Sequence, residues 1–297
     1  MAEWFFLTLL SAVAFSALDL MEKHLISRRI KSPLMLAIFV TVFYPINLAI
    51  IPAFFEVNYA LLPSLISFAI GVGMGVAYLL FMKAIQVEEI SRVVTLHYTY
   101  PLFIAPIAFV FLNEDLTPYN YAGIVLLVAS TFMVSYRGGV KRILYSPALL
   151  LMTALNVIIA VENILAKYLF EFTNFWSFIF WVTAGIIAVR MLMLLIPNVR
   201  KELTAIKFKS LIGYGVAISL LFLASNLLYY GAVSLQFVSL VSALSATQPM
   251  FILAMAIALT YLKPGFVYEE LSRRAVISKS IAVVMVFAGS YMIMLNS

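Results

Sequence analysis

The chain has 297 residues, of which 65% are hydrophobic and 11% charged, whereas a soluble domain is roughly half apolar and about a quarter charged. Surface-to-volume scaling limits how much apolar surface so short a chain can bury, so the composition excludes an ordinary water-soluble domain and points to lipid as the solvent. No cysteine is present, which excludes disulfides, thiol nucleophiles and thiolate metal sites. The net charge of +6 falls in short loops, as topology determinants and lipid-headgroup contacts do, and it implies no nucleic-acid partner.

A bilayer-spanning helix needs about 20 apolar residues. On that measure ten transmembrane helices are predicted, over 4–22, 33–54, 64–86, 90–112, 118–136, 147–168, 174–196, 210–235, 238–262 and 275–295. No basic region precedes the first span and no A-x-A-like site follows it, so it reads as a retained helix and not a signal peptide. Ser32-Pro33 opens the second span, with Pro in the first turn where its missing N–H is harmless. Asn113 to Pro118 separates the fourth from the fifth. Arg137-Gly138-Gly139 ends the fifth, and Ser146-Pro147 opens the sixth. The longest polar stretch, Lys263 to Arg274, reads as lying along the membrane surface.

The sequence repeats itself. Residues 79–108 align without gaps to 227–256 at an offset of 148, with 11 of 30 positions identical. Ser91 matches Ser239, Thr99 matches Thr247, and Pro101 matches Pro249. Asp19-x-x-x-Lys23 in the first span matches Asn163-x-x-x-Lys167 in the sixth, at offset 144. The expected fold is therefore all-α integral membrane, with ten transmembrane helices as two inverted five-helix repeats over 1–137 and 146–297. An odd number of helices per half inverts the second half, a frequent plan in secondary transporters, with the site at the midplane between halves.

Charge sorts by face. Lys23, Arg28, Arg29, Arg137, Arg200, Lys201 and Arg273, among others, fall on one face, with Arg190 in a helix near it. The other face has Lys167 and the acids Glu3, Glu56, Glu114, Asp115 and Glu171. The positive-inside rule makes the basic face cytoplasmic and both termini extracytoplasmic, in a multi-pass protein of a prokaryotic plasma membrane. Trp4, Tyr119 and Trp176 lie near span ends and read as an interfacial belt.

Polar residues inside apolar spans are the candidate site. A charge near the bilayer centre costs roughly 3 kcal/mol on insertion scales, so it usually faces the bundle interior or a wet cavity. Asp19, with Glu22 and Lys23 one turn on, and Glu162, with Asn163 and Lys167, are read as coupling or ion-pair groups. The competing structural reading pairs Asp19 with Lys23 at i,i+4 along one helix. His97 can bond a ligand or carry a proton, or can simply bond a neighbouring helix. It stands with Tyr98 and Tyr100 before Pro101, as Thr247 and Gln248 stand around Pro249. Each Pro removes a backbone hydrogen bond and bends its helix, so the pair of kinks marks the expected central cavity. Tyr78 aligns with Asn226, and with Tyr230 both are placed in the substrate site. Gly71, Gly73 and Gly75 read as close helix packing. Soluble-enzyme motifs are absent, the two histidines lack metal-ligand spacing, and the expectation is no enzyme, no cofactor and no metal.

Several segments resemble a known group. The run Ala77-Tyr78-Leu79-Leu80-Phe81-Met82-Lys83-Ala84-Ile85-Gln86, Tyr100-Pro101-Leu102-Phe103, Leu112-Asn113-Glu114-Asp115-Leu116-Thr117 and Ala122-Gly123-Ile124-Val125-Leu126 are similar, in order and spacing, to ten-helix members of the drug/metabolite transporter superfamily built of two EamA-type domains. Lys23 and Lys167 match a Lys of that group near the end of the first helix of each domain. Asn226 sits where the group often has Asn, while Tyr78 departs from it. The resemblance implies a helical bundle with a central cavity and alternating access. The expected function is secondary transport of a small polar, amino-acid-like metabolite, with the membrane lipid as surroundings and protons as a candidate coupling ion. Two alternatives stand beside it: an exchanger of anionic metabolites such as sugar phosphates or nucleotide sugars, and a lipid-handling or scaffolding protein without solute turnover.

Overall fold

In the computed structural model, residues 3–30, 32–88, 90–135, 148–204, 206, 208–262 and 273–294 are described. The expected loop around Arg137-Gly138-Gly139 and most of the polar stretch from Lys263 lie outside them. All regular structure among the described residues is helical. In chain order the helices are α1 (Glu3–Arg28), α2 (Pro33–Thr41), α3 (Pro45–Phe54), α4 (Leu61–Val87), α5 (Ile90–His97), α6 (Pro101–Leu112), α7 (Pro118–Ser135), α8 (Ala148–Leu169) and α9 (Phe175–Leu192). A short 3-10 turn (Met193–Leu195) leads to α10 (Pro197–Thr204), α11 (Phe208–Leu235), α12 (Val238–Ser245), α13 (Gln248–Leu262) and α14 (Arg273–Met294).

Among the described residues, 7 helical stretches are long and apolar enough to cross a membrane; α2 with α3, and α12 with most of α13, each count as one. Three further apolar helices, Pro101–Leu112, Pro118–Met133 and Ile281–Met294, are shorter. The outer surface carries Phe6, Leu10, Leu65, Phe109, Phe111, Leu150 and Phe287, all exposed, while Ser11, Asn47, Asn156, Glu162 and Ser219 are buried. That inversion of the soluble pattern is what a lipid solvent selects: apolar groups face it at no cost, and polar groups must find partners inside. α1 continues six residues past the end of its predicted span, to Arg28. Apolarity stops before the helix does, because Glu22 and Lys23 are good helix formers.

Three spans are broken, each just before a proline. α2 stops at Thr41 before Pro45, α5 at His97 before Pro101, and α12 at Ser245 before Pro249. Pro lacks the N–H and clashes with the carbonyl four residues back, so the helix must restart there. At each break the backbone tightens to i→i−3 bonds: Tyr44 N–H to Thr41 O, Tyr100 N–H to His97 O, and Thr247 N–H to Leu244 O. The breaks at Pro101 and Pro249 match the expected kinks. The break at Pro45 is additional.

The main helix pairings join the first part of the chain to the second: α1 packs on α11, α4 on α8 and α9, α6 on α8, and α7 on α14. Two contacts bring backbones together. A Cβ at Gly71 of α4 would meet the Val182 carbonyl at 2.0 Å, and one at Gly185 of α9 would meet the Phe68 carbonyl at 2.1 Å. Packing of this kind drives association where lipid gives no hydrophobic push between helices. Trp4 corrects the belt reading: it is 4% exposed and packs in the core. Trp176 stacks face to face on Phe55, and Tyr119 is exposed.

Candidate functional site

The breaks position the polar side chains. Each restart frees carbonyls that helical N–H groups would have bonded, and in lipid these must be satisfied from within the protein. Neighbouring helices supply the donors. Ser219 Oγ of α11 donates to Phe43 O at 3.0 Å. Asn156 Nδ2 of α8 donates to Leu96 O at 2.8 Å and to Thr99 Oγ1 at 2.9 Å. Thr131 Oγ1 of α7 donates to Ala246 O at 3.2 Å, and Ser16 Oγ of α1 to Gln248 O at 3.2 Å. Tyr100 OH crosses to Ser242 O of α12 at 3.3 Å. The three breaks are thus tied to four intact helices, and Tyr44, His97, Tyr98, Tyr100, Thr247 and Gln248 are carried on them.

One cluster forms around α1. Gln248 Nε2, at the start of α13, donates to Asp19 Oδ2 at 2.8 Å. Glu22 follows Asp19 by three residues and so shares its helix face. Its carboxylate meets the Tyr78 hydroxyl of α4 and lies in Coulombic reach of Arg190 of α9. The Arg190 guanidinium sits over the Tyr78 ring at 4.1 Å and near the Tyr44 ring at 5.8 Å. Its Nη1 donates to Thr41 Oγ1 at 3.4 Å, a long bond. Tyr98 is in electrostatic reach of Asp19. Asp19, Glu22, Tyr78 and Gln248 are only half-buried. Their contacts run between α1, α4, α9 and α13, and the buried Tyr44, Tyr98 and Arg190 complete this partly accessible cluster.

A second cluster joins α8 to α11, and it is sealed. Tyr230 OH donates to Glu162 Oε1 at 2.5 Å, and Tyr229 OH to Asn163 Oδ1 at 2.6 Å. Phe178 meets the Tyr230 ring edge-on at 4.9 Å. Glu162 is 5% exposed and Tyr230 1%. Beyond it, Lys167 Nζ donates to Val233 O at 2.7 Å, Gln236 O at 3.0 Å and Ser234 O at 3.4 Å. An ammonium has three N–H donors, so this one is spent on the unbonded carbonyls that end α11. Glu114, which the sequence places in a loop, is 2% exposed. Its carboxylate accepts from the N–H of Val238 at 2.6 Å and of Ser239 at 3.1 Å. It thereby caps the N-terminus of α12 from the other end of the chain, where the helix dipole favours an anion.

The predicted residues therefore divide. Asp19, Tyr78, Tyr98 and Gln248 converge in the half-buried cluster around α1. His97 and Tyr100 adjoin: the imidazole is ringed by Phe81, Tyr98 and Tyr100, and its Nδ1 has no hydrogen-bond partner. Thr247 Oγ1 is also buried without a partner. Asn226 stays on its own helix, donating to Phe222 O at 2.8 Å. Glu162, Asn163, Tyr230 and Lys167 form the sealed side. Lys23 is exposed; the bond to Asp19 comes from Gln248 instead. Sequence reasoning missed Tyr44, Arg190 and the capping role of Glu114. Tyr44-Pro45 carried the same signal as Tyr100-Pro101. Among the described residues, no group of three or more His, Asp and Glu could hold a metal ion.

Residues 2–136 match the family model of the EamA-like transporter family. No curated protein matches the chain by sequence. A crystal structure of a protein 15% identical in sequence superposes on 99% of this chain and 97% of its own, with a TM-score of 0.69. At that identity the likeness shows the fold alone.

Proposed function

From the premise that residues 2–136 make this chain a member of the EamA-like transporter family, within the drug/metabolite transporter superfamily, we propose that it is a secondary transporter of a small polar, amino-acid-like metabolite. The observation that carries the reading is the half-buried polar cluster of Asp19, Glu22, Tyr78 and Gln248, in a bundle whose exterior is apolar. A polar space at the meeting of broken helices is where such transporters bind. The fuller architecture is two inverted five-helix repeats, over 1–137 and 146–297, making ten spans. Its support is the internal alignment and the pattern of pairing. Exchanging the halves turns α1 on α11 into α8 on α4, and α1 on α13 into α8 on α6.

Two clusters support a reading by alternating access. Asp19 lies nearer the end of α1 that bears Arg28 and Arg29, the face the charge bias makes cytoplasmic, and we assign the open side there. Hydrogen bonds of Glu114, Lys167 and the Glu162–Tyr230 pair tie the other cluster together, and we assign the closed side to it. Asp19 and Glu162 are the carboxyl groups assigned to proton coupling, because a buried acid must either find donors or take a proton. The protein sits in the plasma membrane of a prokaryote with both termini outside. The anion-exchanger reading has less to stand on: Lys167 is committed to three carbonyls, and Lys23 is exposed.

Counterflow in proteoliposomes tests the function. Vesicles preloaded with each of a panel of amino acids, amines, sugar phosphates and nucleotide sugars are diluted into the labelled counterpart. The expected result is exchange of one or more amino-acid-like solutes well above protein-free vesicles. No exchange of any solute overturns the transporter reading, and exchange confined to sugar phosphates overturns the substrate class.

A further inference from the structure

Arg190 is the residue whose surroundings are least complete. It lies within the α9 span, is 6% exposed, and belongs to a charge type that a membrane protein buries only with paired or functional purpose. A guanidinium carries five N–H donors. One makes the long 3.4 Å bond to Thr41 Oγ1, another bonds the Tyr44 side chain, the guanidinium lies over the Tyr78 ring within Coulombic reach of Glu22, and the Nε–H has no acceptor. A structural arginine ordinarily uses its fork, since an unmet buried donor is costly. The pattern here leaves the Nε–H donor free in a cluster whose Tyr78 and Glu22 are only half-buried.

The charges of this cluster are of both signs. Asp19 and Glu22 share one face of α1 and act on each other, and Arg190 of α9 lies over the Tyr78 ring, within Coulombic reach of Glu22. A molecule carrying only a positive charge would satisfy the acids and leave the guanidinium edge empty. A molecule carrying only a negative charge would meet Arg190 but crowd two carboxylates. A zwitterion serves both: its ammonium meets the acids of α1, and its carboxylate meets the guanidinium fork, which suits a carboxylate geometrically.

We infer that Arg190 is the carboxylate-anchoring, specificity-determining residue of a zwitterion site whose ammonium pole is Asp19 and Glu22. This inference rests on the transporter reading above and sharpens its substrate class. Tyr78 bridges the two poles, its ring under the guanidinium and its hydroxyl at Glu22. The aromatic walls at Tyr44 and Tyr98 are left for the solute's apolar part.

The test is counterflow with matched pairs: alanine, leucine and phenylalanine, each against its decarboxylated amine, in wild type, Arg190→Gln and Arg190→Lys. The inference expects wild type to exchange at least one of the amino acids. Arg190→Gln should lower that exchange by about tenfold or more, the weight of one charge-assisted fork, while exchange of the amine changes little. Arg190→Lys, which keeps the charge but not the fork, should raise KM for the amino acid and leave the amine unaffected. Equal loss for acid and amine, or no loss for either, overturns the inference. Should Arg190→Gln fail to fold, the Arg190→Lys comparison decides alone. Wild-type exchange confined to solutes without a carboxylate overturns the inference but leaves the transporter reading standing. No exchange of any solute by wild type overturns both.

Discussion

Asp19 on α1 and Asn163 on α8 occupy matching places in the internal repeat, yet their neighbourhoods differ. Around Asp19 and Glu22 the partners are an amide, tyrosines and an incompletely bonded arginine, and the two acids are only half-buried. Around Glu162 and Asn163 two tyrosine hydroxyls close tightly on the acid and the amide, and the groups are buried. The matching lysines diverge in the same way: Lys23 is exposed, and Lys167 caps α11. The two stretches of similar sequence thus differ in exposure, one half-buried and one buried. On the proposed alternating-access reading, that difference is the asymmetry of one conformational state.

The comparison breaks most sharply at Asp19. Asp19→Asn keeps the size and a partner for Gln248 but removes the ionisable group. It is expected to abolish gradient-driven accumulation in proteoliposomes, to weaken counterflow only partly because Glu22 still faces the ammonium, and to leave the melting temperature in detergent unchanged. A large loss of stability would make Asp19 a structural residue like Glu114 and Lys167. On that side the first expected effect is on stability. Glu114→Ala strips two buried N–H groups of their acceptor, at a cost of about 2–4 kcal/mol, read as a lowered melting temperature. Tyr230→Phe leaves the Glu162 carboxylate without its 2.5 Å donor, at about 1–3 kcal/mol. The smallest contrast is between the lysines. Lys167→Gln should lower the melting temperature measurably by uncapping α11, and Lys23→Gln should not. Equal effects would remove the asymmetry at that pair.

Much of the fold was legible because hydropathy and proline act locally. Apolar runs gave the helices, and Pro101 and Pro249 gave two of the three breaks, since a proline's effect is written into its own four preceding residues. What proved illegible depended on the second half folding against the first. Glu114 reads as a loop charge because it ends an apolar span; its burial comes from Val238, 124 residues away. Arg190 reads as a boundary charge because one sequence does not say which way its side chain turns. Trp4 reads as a headgroup anchor at a span end, and only the packing of α1 against the bundle buries it. Asp19 was recognisable as a costly residue, but its partner was not: the nearby Lys23 suggested a pair, while Gln248 stands 229 residues away.

Because the chain has no cysteine, a single introduced thiol reports on one position. The most direct measurement places cysteine at Tyr78 or at Tyr230 and applies a membrane-impermeant maleimide from each side of sealed vesicles. The account predicts that Tyr78→Cys is labelled from the side bearing Arg28 and Arg29, and that Tyr230→Cys is protected from both sides in this conformation. Comparable labelling of the two positions from that one side would contradict it.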